Sequence, residues 1–76
     1  MDKKCYLKID EIEYEIRYEV EADNNIQTFK IWVNKESSFI VTSYLDAINS
    51  RVYQYERMYG LRQKIVDRVI ENELGV

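Results

Sequence analysis

Polar and apolar residues alternate over residues 12–21, where every second side chain is apolar: Ile12, Tyr14, Ile16, Tyr18 and Val20. A period of two predicts a β-strand with one buried face and one solvent-facing face. Charged residues fill the positions between, so the solvent-facing side of this strand carries mainly glutamates. The pattern therefore predicts an exposed acidic row on a half-buried strand.

A shorter alternation precedes it, at Cys5, Leu7 and Ile9, but on odd-numbered positions. A two-residue turn at Asp10-Glu11 would explain the change of parity, because it places Ile9 opposite Ile12 on one face. Tight hairpin turns favour Asn-Gly or Asp-Gly rather than Asp-Glu. A bulge within one long strand is therefore the alternative.

The next turn is better marked, because asparagine tolerates positive φ and Asn24-Asn25 separates two β-rich runs. A two-residue turn there pairs Val20 with Phe29 inside. Outside, it pairs Glu19 with Lys30 and Arg17 with Trp32. The first outer pair is favourable in charge and the second suits a cation–π contact. A three-residue loop at 23–25 would lose these pairs, so the two-residue turn is preferred.

In the second half of the chain, residues 39–42 are predicted to form a fourth strand at the edge of the sheet, and a helix is predicted to follow it. Ser43-x-x-Asp46 has the spacing of a capping box. An apolar stripe at helical spacing follows at Leu45, Ile48, Val52, Tyr55 and Tyr59. Gly60 is expected as the C-terminal cap of this helix, with a second helix over 61–74 ended by Gly75.

The alternative is a single continuous helix through Gly60. It would measure about 46 Å at 1.5 Å per residue, whereas a domain of this size spans only about 25–30 Å. The expected architecture is a two-layer α+β fold: three or four antiparallel strands in a meander, over residues 4–42, with one or two C-terminal helices packed on one face, over residues 43–74. Residues 1–76 are expected to form one small domain.

Apolar residues spread around more than half of the second predicted helix, and one sheet face would not cover them all. The first helix, a second copy of the chain or a partner would have to cover the remainder. In the second case the candidate dimer seam is Leu61, Ile65 and Val69.

Composition narrows the classes of function. The 76 residues include one cysteine, no histidine and no proline. Cys5 has no histidine to activate it, no metal motif can be built, and no glycine-rich phosphate loop is present. We expect no enzyme activity, no metal and no cofactor. The absence of a long apolar run and of a signal-peptide pattern favours a cytoplasmic protein without a membrane contact.

The formal net charge is −3, and all the excess acid lies in residues 1–42. An exposed tryptophan beside an arginine is typical of a protein-binding hot spot. The alternative is that Trp32 covers the sheet and stacks on Arg17. The candidate partner-binding residues are Trp32, Arg17, Tyr6, Glu13, Glu15, Glu19, Glu21, Lys30 and Tyr53.

The leading hypothesis is a small non-enzymatic protein-binding module. Its composition, rich in Ile, Glu, Tyr, Lys and Asn, resembles the small accessory or inhibitor proteins of phages and mobile elements, although no motif carries that resemblance. In the inhibitor form of the hypothesis, the sheet face and the acidic second strand occupy a functional site on a larger protein, with that strand facing a basic groove. Imitation of nucleic-acid phosphates by the acidic row is a separate hypothesis, which Arg17 weakens because it interrupts the row.

Two other classes of function remain open. One is a structural homo-oligomer assembled through the C-terminal helix. The other is a nucleic-acid-binding accessory protein, whose basic patch of Arg57, Lys64 and Arg68 would form only if the helix ran through Gly60. The net acidity makes nucleic acid the weaker partner.

Overall fold

The computed structural model describes residues 2–45, 53–55 and 57–75, and in residues 45, 53 and 54 it describes the backbone alone. An antiparallel meander of four strands, β1 (Lys3–Ile9), β2 (Ile12–Asp23), β3 (Ile26–Val33) and β4 (Ser37–Leu45), is followed by one C-terminal helix, α1 (Leu61–Leu74). A three-residue strand, β5 (Tyr53–Tyr55), pairs with β4, so the sheet order is β1-β2-β3-β4-β5. The predicted α+β class is confirmed.

The first hairpin closes through a two-residue turn at Asp10-Glu11, and the bulge alternative is wrong. Both residues have positive φ, 50° and 70°, which is the backbone of a primed turn whose twist matches the strands on either side. Ile9 lies opposite Ile12, and Cys5 lies opposite Ile16. The sheet therefore tolerates unfavourable turn residues in order to keep its apolar faces in register.

The second hairpin has the predicted Asn24-Asn25 turn, with φ 58° at Asn24. The predicted register is confirmed, with Val20 opposite Phe29 and Arg17 opposite Trp32. A one-residue slip would move every apolar side chain to the solvent face, so burial of one face enforces this pairing.

The prediction of a helix beginning at Ser43 is wrong wherever the structure describes that segment. Strand β4 continues through Ser43 to Leu45, and Tyr53–Tyr55 forms β5. Ser43 is fully buried, and its hydroxyl donates to the Gln27 carbonyl at 3.4 Å instead of capping a helix. Because β5 pairs beyond it, β4 is an interior strand. Positions 46–52 and 56 of that predicted helix lie outside the described residues.

Helix α1 begins after Gly60, so the continuous helix is excluded. Gly60 precedes the helix, as its N-terminal cap, instead of ending an earlier one. Its φ of 58° and ψ of −132° lie in a region that favours glycine. Gly75 ends the helix as predicted, in the left-handed conformation with φ 76°.

The core lies between α1 and one face of the sheet, which we call the inner face. It consists of buried side chains from β1 to β4 and from the helix: Cys5, Ile16, Tyr18, Phe29, Ile31, Val33, Val41, Ile65, Val66, Val69 and Ile70. Ile65 and Val69 are therefore at most 1% exposed in the single chain, and their side chains are not available to a second copy. Of the predicted seam, only Leu61 is exposed.

Polar contacts fix the helix on the sheet near its C-terminus and at its middle. Near its C-terminus, the Tyr18 hydroxyl donates to Glu73 at 3.3 Å and accepts from the Asn72 amide at 2.8 Å. At its middle, the Tyr55 hydroxyl donates to Asp67, whose carboxylate also accepts from Gln63 at 2.9 Å. The helix therefore packs on the inner face, and within residues 2–45, 53–55 and 57–75 no helix covers the opposite, outer face of the sheet.

Candidate functional site

The outer face carries all but one of the sequence-predicted binding residues. The confirmed strand registers place Tyr6 on β1, Lys30 and Trp32 on β3, and Glu13, Glu15, Arg17, Glu19 and Glu21 on β2, all with outward parity. The remaining candidate, Tyr53, has its backbone in β5, and its side chain lies outside the described residues. Strand pairing alone therefore brings residues up to 26 positions apart onto one surface.

Trp32 lies at the centre of this surface, on β3 between Arg17 of β2 and Ser38 of β4. The Arg17 guanidinium carbon lies 4.6 Å from the centroid of the indole ring. Such a cation–π contact is worth about 0.5–1 kcal/mol at an exposed site. The cation–π contact predicted from the strand register is therefore present. Trp32 is partly rather than fully exposed, so the stack on Arg17 that the alternative expected is also observed.

On one side of the indole is a cleft of about 260 Å³, which we call the Trp32 cleft. Its lining residues are Lys4, Glu15, Arg17, Trp32 and Lys35. Lys4 lies directly opposite Arg17 across the β1–β2 pair. The volume is below the roughly 300–1,000 Å³ of pockets that enclose whole small-molecule ligands, so the cleft suits a side chain or two of a partner.

The turn after β3 positions Lys35, and Asn34 holds that turn against β2. The Asn34 amide donates to the Glu15 carbonyl, and the Asn34 side-chain oxygen accepts from the Glu15 amide, each at 2.9 Å. Asn34 and Lys35 both have positive φ, 51° and 63°. Sequence reasoning missed both Lys35 and Lys4. The β1–β2 register already placed Lys4 beside Arg17, but nothing local in the sequence signals the position of Lys35.

A broader groove of about 480 Å³ lies on the other side of the indole, lined by Lys30, Trp32, Ser38, Phe39 and Ile40. Ile40 is 56% exposed, although it is a large aliphatic residue in the middle of a strand. Tyr6 and Tyr44 are also about half exposed on the same face. Apolar surface therefore adjoins Trp32 at Ile40 on β4, while Tyr6 and Tyr44 lie farther out on the same face, opposite Glu15 and Ile26.

The acidic row of β2 is interrupted and largely compensated by neighbouring cations. Arg17 occupies its middle, Lys4 lies 3.9 Å from Glu15, and Lys30 lies opposite Glu19. Asp2 approaches Arg17 at 3.6 Å. A hydrogen bond with Asp2 also raises the pKa of Glu19. The row is therefore not the continuous line of negative charge that imitation of a phosphate backbone needs.

Two other groups considered in the sequence lie away from this face. Cys5 is buried in the core, and that burial raises the pKa of its thiol, which suits a packing role. Arg68 donates from Nε to the Tyr6 carbonyl at 3.0 Å. Since α1 begins after Gly60, Arg57 is not on the same helix as Lys64 and Arg68. The predicted basic patch required one helix through Gly60, so it does not form.

Searches of protein-family models, curated proteins and solved structures found no significant match to this chain. Over residues 2–45, 53–55 and 57–75, no helix is long and apolar enough to cross a membrane. Within the same ranges, no group of three or more metal-ligating side chains is clustered.

Proposed function

We propose that this protein is a small non-enzymatic binding module that docks on a larger protein through its outer sheet face, with Trp32 as the anchor. The observation that supports the proposal is the position of the single tryptophan. It lies on the face that α1 leaves uncovered, stacked under Arg17 and between two depressions in the surface. Trp, Tyr and Arg are the residue types most enriched at binding hot spots.

Other exposed residues of the outer face add to this argument. Ile40 and Tyr44 expose 56% and 51% of their surface and extend the apolar area along β4. An apolar centre with charged neighbours such as Lys30 and Glu21 is the usual anatomy of a protein interface. In its specific form, the proposal makes the protein an inhibitor that covers a functional site on its target.

The experiment compares two aromatic-to-alanine substitutions. Trp32→Ala removes the anchor, and Tyr59→Ala removes an aromatic side chain that is 95% exposed and lies outside the sheet. A partner isolated from nuclease-treated host lysate is purified, and its dissociation constant is measured with each variant after circular dichroism has shown that the variant is folded.

We expect Trp32→Ala to weaken binding by about 2 kcal/mol or more, roughly thirtyfold, as a hot-spot residue does. Tyr59→Ala should leave the dissociation constant unchanged. If a folded Trp32→Ala protein binds every partner as tightly as wild type, the outer face is not the docking surface. If the chain recovers only itself, the binding-module proposal is refuted in favour of self-assembly.

A further inference from the structure

The surface around Trp32 has the opposite charge to the chain as a whole. The formal net charge of the chain is −3, but three cations, Lys4, Arg17 and Lys35, line the Trp32 cleft with only one carboxylate, Glu15. These cations come from β1, β2 and the turn after β3. The positive charge of the cleft therefore arises from the tertiary structure and is not a property of any local segment.

The carboxylates that contact these cations hold them weakly. Lys4 Nζ lies 3.9 Å from Glu15, and Arg17 Nε lies 3.6 Å from Asp2, whereas charge-assisted hydrogen bonds are about 2.7–2.9 Å long. All four side chains are between one third and about one half exposed, and such surface pairs contribute little to stability. Lys35 is exposed and forms no ion pair within the described part of the chain.

We propose that the Trp32 cleft is a subsite for the carboxylate side chains of an acidic peptide segment on the partner protein. The proposal rests on the function proposed above and specifies the chemistry of the partner. A carboxylate entering the cleft would meet Lys35 and would exchange the long contacts of Lys4 and Arg17 for shorter ones. The stem of the same side chain would pack on the indole of Trp32.

The remaining charges of the outer face favour a peptide over a nucleic acid. Glu15 lies inside the cleft, and Glu13 and Glu21 are exposed along the same strand. A phosphate backbone presents closely spaced charges over a long distance, so it would run past these glutamates at a cost in repulsion. One or two carboxylates in a cleft of about 260 Å³ avoid that cost.

Trp32 is the only tryptophan in the chain, so its fluorescence and its indole N–H signal report directly on the cleft. The probe is an acetylated, amidated peptide of alternating glutamate and alanine, titrated into the millimolar range. Its glutamine counterpart is the neutral control, and inorganic phosphate is a third titrant. The chemical shifts of the Lys4, Arg17 and Lys35 amides are followed together with the indole signal.

We expect a saturable response to the glutamate peptide and a much smaller one to the glutamine peptide and to phosphate. Lys35→Glu should weaken the response roughly tenfold, because one attraction becomes a repulsion. Lys64→Glu makes the same charge change at an exposed position of α1, on the other side of the sheet, and should leave the response unchanged. Neither lysine is in the core, so both variants are expected to fold.

Three results would overturn the subsite: equal responses to the glutamate and glutamine peptides, an undiminished response in Lys35→Glu, or an equal loss in Lys64→Glu. A response to phosphate as strong as that to the glutamate peptide would also reject a carboxylate-specific site. The proposed function is judged separately. A protein partner that is lost with Trp32→Ala but kept with Lys35→Glu supports the docking face and refutes only the subsite.

Discussion

Replacing Ile65 with alanine should destabilise the protein strongly, although this residue was also a candidate for an intermolecular seam. Ile65 lies on the inward side of α1 and is 1% exposed. The substitution removes three carbon atoms, each worth about 0.8 kcal/mol when buried. That loss comes to about 2.4 kcal/mol, and the cavity that remains brings the expected cost to roughly 2–5 kcal/mol.

This cost is large for a chain of 76 residues, whose whole stability is expected to be roughly 4–11 kcal/mol. Urea denaturation followed by circular dichroism measures it. With a slope of about 1 kcal/mol per molar for a small domain, the midpoint should fall by at least about 2 M. Leu61→Ala is the matched control, because Leu61 is on the same helix but 40% exposed, and its cost should stay below about 1 kcal/mol.

Two results would refute this reasoning. Equal costs for Ile65→Ala and Leu61→Ala would mean that α1 does not pack on the sheet with the face described. A wild-type midpoint that rises with protein concentration, and loses this dependence in Ile65→Ala, would place Ile65 between two copies of the chain instead of within one.

Two further predictions concern a turn and a tyrosine. Glu11→Gly should raise the free energy of unfolding by about 1 kcal/mol, because Glu11 has φ 70° in a turn that favours glycine; an unchanged or lower urea midpoint would contradict strain at this residue. Burial, and then the hydrogen bond to Asp67, raises the pKa of Tyr55 to about 12 from its ordinary value of 10. The unfolded chain therefore loses that proton first as the pH rises, and stability should fall between about pH 10 and 12. Tyr55→Phe should make the fall shallower without abolishing it, since the pKa of Tyr18 is also raised; an unaltered pH profile in urea denaturation would exclude the role of Tyr55.

The first three strands follow from local pattern, and so do the residues at the centre of the candidate site. Alternation with a period of two decides which side chains face inward, and once the turn lengths are known the pairing follows by counting. The Arg17–Trp32 contact is a consequence of that counting. The turn at Asp10-Glu11 shows the limit of local pattern. Two-residue turns prefer other residues, but the burial of one face of both strands overrides that preference.

The hydrophobic pattern gave a wrong prediction where the same spacing of apolar residues was compatible with both a helix and a strand. The apolar residues from Leu45 to Tyr59 repeat at helical intervals, but Tyr55 lies in β5, beside the unpaired edge that β4 would otherwise present. Its hydroxyl reaches Asp67, twelve residues away on α1. Such non-local partners outweigh local propensity, and a single sequence does not display them.

Residues 2–33 thus carried the two-residue periods of their strands and the Asn24-Asn25 turn, because a side-chain period and a turn preference are local quantities. The choice of a turn over a bulge at Asp10-Glu11 was made only when the sheet buried one face of both strands. The position of β5, the burial of Ile65 and Val69, and the meeting of Lys4, Arg17 and Lys35 around Trp32 were decided only by the folded chain. Each of these depends on segments that are distant in sequence and that become neighbours only when the sheet pairs and the helix packs on it.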